Sequence, residues 1–168
     1  MQRSRLETRH HRYRRRVVTT EVARFLGLVA LCSAYIQGPV VKLLDFESAI
    51  LEMEHFGLEP AAFIAAGVII FELNMSAMIL TGVYRWLAAL FLAVFTLIAT
   101  FLAARFWELP VGPERTMTMN AFFEHLGLVG GFVLVAWEDL HRKLDKRLRA
   151  LGEVTVRSTE ITKAVPNA

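Results

Sequence analysis

The chain has 168 residues, 55% of them hydrophobic, and a formal net charge of +3. Its mean hydropathy of +0.42 is too high for an ordinary soluble domain of this size, and the apolar residues come in runs. This excludes a soluble enzyme domain; the basic balance, concentrated in the two tails, is topological rather than nucleic-acid-binding.

Residues 1–21 form a basic arm with HHRYRRR at 10–16. It carries no convincing signal peptide, because the apolar run that follows is too long and continues as a spanning pattern. That run, 22–44, reads as the first span. Gln37, Gly38 and Pro39 interrupt its later third, and the proline predicts a kink there. The single cysteine, Cys32, lies in this run and rules out an internal disulfide.

Residues 45–59, DFESAILEMEHFGLE, are too charged to span. Apolar residues at helical spacing predict a short surface helix, with Asp45 as its N-cap and Gly57 followed by Pro60 as its stop. Residues 60–82 are apolar apart from Glu72, Asn74 and a few hydroxyls, and predict the second span. A carboxylate near mid-membrane costs at least about 2.5 kcal/mol unless it is shielded, so Glu72 is expected inside the bundle. Asn74, two residues on, points to another face. After a minimal turn comes the third span, 86–104, with only Thr96 and Thr100 polar. Helical hydroxyls usually bond back to their own backbone. Arg105, Phe106 and Trp107 mark the boundary beyond it.

A fourth span is expected over 120–137, with Glu124 and His125 near its start. Gly127 and Gly131 form a GxxxG spacing that permits close helix approach, within the chain or in a homo-oligomer. Residues 138–152 predict a separate amphipathic helix on the cytoplasmic headgroups, ending at Gly152, and 153–168 a disordered tail. Sixteen of the 19 Lys and Arg residues fall on one side of this scheme. That side is expected to be cytoplasmic, with both termini inside. The fold class is therefore all-α: a polytopic four-helix membrane bundle whose main partner is the lipid bilayer.

A helix rises about 1.5 Å per residue, so depth can be counted along each span. Gln37 lies roughly 10 Å, Glu72 roughly 18 Å, and Glu124 and His125 roughly 7 Å from the outer face. With Lys42 at the rim, these residues could line one outward pocket with Glu72 as its floor. Such a pocket suits a quinone ring, whose carbonyls need proton donors and acceptors. A metal centre built from His55, Glu52, Glu54, Glu124 and His125 has no HxxxH spacing, so no metal site is expected. No cofactor motif is evident, and the residues decide neither for nor against a catalytic activity.

Several stretches carry a family resemblance: GPVVKLLDF at 38–46, HFGLEP at 55–60, Phe71-Glu72-Leu73, TGVYRWLAAL at 81–90, ATFLAARFW at 99–107 and HLGLVGG at 125–131. In order and spacing they resemble the DoxX family of small four-helix membrane proteins, from about Arg24 to Trp137. That family takes its name from a subunit of a thiosulfate:quinone oxidoreductase. The resemblance implies a quinone-linked or redox-accessory role in a bacterial inner membrane beside an oxidoreductase partner subunit. The alternative is a non-catalytic membrane anchor or assembly factor; a solute transporter fits four helices without a repeat least well. Lys42, Glu72 and Arg85 fall at the family's usual polar positions. Two departures stand out: Asn74-Met75-Ser76 where glycines usually follow the acid, and Glu124-His125 where a Lys-Asn pair is usual.

Overall fold

The computed structural model describes residues 20–164, with side chains placed as far as Thr155. Most of the predicted basic arm, and the last four residues of the predicted tail, lie outside that range. The described chain is helical: α1 (Thr20–Cys32), α2 (Ala34–Leu44), α3 (Phe46–His55), α4 (Ala61–Thr81), α5 (Arg85–Ala103), a 3-10 turn (Phe106–Glu108) and α6 (Pro113–Ala164). Three helical segments, in α4, α5 and α6, are long and apolar enough to cross a membrane, and the bent pair α1–α2 raises this to as many as four.

The bend between α1 and α2 is 40° and lies at Ser33, not at the expected Gln37-Gly38-Pro39. The local bonding explains the shift. The Ser33 hydroxyl donates to the Ala30 carbonyl at 2.7 Å, and the Ser33 amide takes the same carbonyl at 3.3 Å. This pulls the turn tight and breaks the regular ladder. Pro39 sits buried inside α2, which continues past it.

α3 forms with the predicted cap. The Asp45 carboxylate accepts from the Ser48 amide at 3.1 Å and from the Ser48 hydroxyl at 2.7 Å. At its far end Gly57 takes φ +68°, the left-handed region that favours glycine. The Gly57 amide donates to Glu54 (2.8 Å) and the Leu58 amide to Met53 (2.9 Å), which is a Schellman ending. Ala49 and Met53 of α3 then bury against Ala61 and Ala65 of α4, folding α3 over one end of the bundle.

α4 begins after Pro60 and ends at Gly82, whose φ is +85°. Its core is shared with every other long helix. Leu28 and Cys32 of α1, Tyr35 of α2, Ile79 of α4, Ala88, Ala89 and Leu92 of α5, and Phe132 and Ala136 of α6 form one buried cluster. The alanines on α5 let α6 pack along its length. At 25–30 cal/mol per Å², burial of such side chains from water would be worth about 1.5–3 kcal/mol each; in lipid, dispersion and fit carry more of the cohesion.

The largest departure from expectation is α6. Instead of a span over 120–137, a separate amphipathic helix over 138–152 and a disordered tail, residues Pro113–Ala164 make one helix of 52 residues. Pro113 is pre-shaped for a first helical turn, which moves the start earlier. No proline interrupts the sequence until Pro166, and Gly152 costs only about 1 kcal/mol against alanine, too little to end a helix of good formers. Arg24 binds Glu138 at 3.3 Å, and Arg142 reaches both Glu138 (2.8 Å) and Glu21 (3.3 Å), tying α1 to α6 at the end opposite α3. We call these the basic end and the α3 end.

Candidate functional site

Glu72 is half-buried on α4 and faces two adjoining clefts. The first, of about 250 Å³, is walled by Tyr35 of α2, Thr96 and Thr100 of α5, and His125 and Leu128 of α6. The second, of about 350 Å³, is walled by Ile64 and Val68 of α4 and by Phe95, Ile98 and Leu102 of α5. Met53 and Phe56 of α3 and Lys42 of α2 also line it. Glu52, Glu72, Phe95, Ala99 and Ala103 border both clefts, so the Glu72 carboxyl sits between two largely apolar clefts, of which the first carries more polar side chains.

Each wall follows from its helix. The bend at Ser33 carries α2 along α4, where Tyr35 turns inward against Phe132 in an edge-on contact at 5.2 Å. Tyr35 is 5% exposed, and its hydroxyl bonds the Thr96 hydroxyl. Thr96 in turn donates to the Leu92 carbonyl at 2.6 Å, so the Tyr35 hydroxyl is the donor to Thr96. Thr100 donates to the Thr96 carbonyl at 2.6 Å. The expected back-bonding of both threonines is present, and Thr96 also ties α2 to α5.

Lys42 lies at the rim with its Nζ 2.8 Å from the Glu52 carboxylate on α3. That pair holds α3 over the second cleft. His125 is exposed on α6 and reaches the first cleft through the face that continues to Leu128 and Phe132.

Of the candidate residues, the structure brings Glu72, Lys42 and His125 to the cleft walls and leaves three away from them. Gln37 is exposed, because two residues after the inward Tyr35 is about 200° of rotation. Glu124 is exposed and lines neither cleft. Arg85 is at the basic end, roughly 13 Å of helix rise beyond Glu72. There its Nε donates to the Ile79 carbonyl at 2.6 Å, and its guanidinium lies over Gly82. It caps the last turn of α4, where a cation also suits the helix dipole. Asn74, as expected, leaves the Glu72 face and donates to the Ile70 carbonyl at 2.7 Å.

Gly131 meets α1: a Cβ there would approach Leu31 Cδ1 to 3.0 Å. A Cβ on Gly127 would meet nothing within 4 Å, so half of the GxxxG pair is used inside the chain. Among the described residues, no group of three His, Cys, Asp or Glu side chains is placed to hold a metal ion.

The sequence reading missed Tyr35, Thr96 and Glu52 as wall residues. The signal for Tyr35 was a phenol hydroxyl seven residues after Leu28, on the same helical stripe. Glu52 carried no such signal, since its pairing with Lys42 depends on how α3 folds back.

No curated protein and no solved structure matches the chain. The family model DoxX matches residues 24–105, which takes in α2 through α5, most of α1, and the Glu72, Lys42, Glu52, Tyr35 and Thr96 positions of the clefts. His125 and the whole of α6 lie beyond that match. Over 24–105 this chain is a DoxX domain, and so a multi-pass membrane protein of a family loosely tied to redox systems.

Proposed function

We propose that this protein is the membrane subunit of a quinone-linked redox system and seats a quinone ring between the two clefts beside Glu72. The observation that carries the reading is the position of Glu72: its carboxyl borders both a cleft walled mainly by aliphatic and aromatic side chains and one that adds hydroxyls and an imidazole, while Glu52, the other carboxylate on both, is paired with Lys42. An isoprenoid-substituted ring fits that contrast, with its apolar tail toward Ile98, 63% exposed, and its carbonyls toward Glu72 and His125. Reduction of a quinone to the quinol takes two electrons and two protons. Glu72 and His125 are of the types that deliver protons to the carbonyl oxygens. The electrons come from an oxidoreductase partner.

In this reading the membrane domain has four spans, α1–α2 being one bent span. The basic end faces the cytoplasm of a bacterial cell, since Lys and Arg concentrate there. The clefts then open in the outer leaflet under α3.

The test is to extract quinone from protein purified in mild detergent and to titrate the stripped protein with a short-chain quinone by calorimetry. The wild type should bind, and Glu72→Gln should weaken binding at least tenfold. A preparation that neither retains nor binds quinone, yet still pulls down a partner protein, would replace this reading with that of a non-catalytic anchor.

A further inference from the structure

A third cleft, of about 490 Å³, lies at the basic end, far from Glu72. Its floor is apolar: Trp86 near the start of α5, and Trp137, Leu140 and Leu144 along α6. Trp137, Leu140 and Leu144 are 57%, 43% and 54% exposed, with no helix among the described residues covering them. Lys143 and Arg147 stand on its rim, one turn apart on α6. Lys143 is held at 3.0 Å by Asp139, whereas Arg147 makes no ion pair or hydrogen bond among the described residues.

The level of the cleft follows from its residues. Trp86 and Trp137 are the aromatic residues that mark a membrane boundary. Lys143 and Arg147 lie roughly 9 and 15 Å of helix rise beyond Trp137. Helical side chains lean toward the helix N-terminus, so both cations reach back toward the boundary.

We infer that this cleft is a binding site for one anionic phospholipid. Its phosphate sits between Lys143 and Arg147, and an acyl chain lies on Trp86, Trp137 and Leu140. The combination selects this occupant. A soluble anion would leave the indole and leucine floor uncovered. A zwitterionic lipid would bring a choline or ethanolamine cation against the two basic groups. A second copy of α6 across the cleft would oppose Lys143 and Arg147 to themselves. Basic pockets between helices at the cytoplasmic surface recognise anionic headgroups in this way.

The experiment is native mass spectrometry of the full-length protein titrated with phosphatidylglycerol and, separately, with phosphatidylcholine. The wild type should bind one phosphatidylglycerol at least tenfold more tightly. Lys143→Gln with Arg147→Gln should reduce that preference to less than twofold. Arg147→Gln alone, which leaves the Lys143–Asp139 pair intact, should lose at least threefold. Lys146→Gln with Arg149→Gln, on other faces of α6, should leave the preference unchanged. Equal losses in the two double variants would overturn the site in favour of diffuse attraction. Competition by millimolar inorganic phosphate would overturn it in favour of a soluble anion, and a copurifying polypeptide that blocks lipid binding would show a protein partner there instead.

Discussion

The hydrogen bond between Tyr35 and Thr96 closes one wall of the polar cleft, and its removal has a calculable signature. Tyr35→Phe deletes the donor but keeps the ring against Phe132. Inside membranes such a bond is worth about 0.6 kcal/mol on average and at most about 1.7. Thr96→Val deletes the acceptor and preserves side-chain shape. It strands the Tyr35 hydroxyl at 5% exposure, which costs about 1–3 kcal/mol. In the double variant no hydroxyl is stranded, so the combined loss should fall short of the sum of the singles by about 1 kcal/mol. Reversible unfolding of the purified protein in mixed micelles, driven by a denaturing detergent, measures all four corners of the cycle. Losses that add to within about 0.3 kcal/mol would refute the claim that these two residues join α2 to α5.

Three further outcomes follow from the packing and the caps. In the same unfolding assay Gly131→Leu, forced against Leu31, should cost about 1–3 kcal/mol, while Gly127→Leu should be neutral or gain up to about 1; equal losses would put both glycines at one interface. Lys42→Met removes a pair whose side chains are 22% and 43% exposed, so stability should change by less than about 1 kcal/mol, but short-chain quinone should bind at least fivefold more weakly; an unchanged affinity would remove Lys42 from the rim. The Ser48 hydroxyl and amide hold the Asp45 carboxyl below the usual carboxylate range. Because its folded value lies below its unfolded one, the cap is fully present above about pH 4 and is lost as pH falls through the folded value. Exchange protection of the Ser48 and Ala49 amides, corrected for intrinsic rates, should therefore be flat at neutral pH and fall in acid. In Asp45→Asn, which keeps an acceptor that cannot titrate, it should stay flat throughout.

Local chemistry was the legible part of this chain. The Asp45 cap, the Gly57 stop, the divergence of Asn74 from Glu72 and the back-bonded threonines each depend on residues within one or two turns. What was not legible depends on how helices meet. Pro39 was the obvious candidate for a kink, but the Ser33 hydroxyl competes for a carbonyl and takes the bend upstream. Tyr35 turns inward and Gln37, about 200° further round the helix, turns outward, so Gln37 leaves the pocket wall expected of it. Arg85 was a candidate because it falls at one of the family's usual polar positions; in the structure it lies at the end of α4 and caps its last turn. The continuity of α6 was hidden by the change from apolar to charged composition after Trp137, which alters what surrounds a helix without ending it.

The central claim is that a quinone ring occupies the space beside Glu72. Photolysis of the purified protein with a short-chain azidoquinone, followed by peptide mapping, tests it most directly. The account predicts adducts on α4 around Glu72 and on the α5 segment from Phe95 to Ala103, suppressed by excess unlabelled quinone and reduced in Glu72→Gln. Adducts confined to lipid-facing residues such as Phe63 or Val94, and insensitive to competitor, would contradict it.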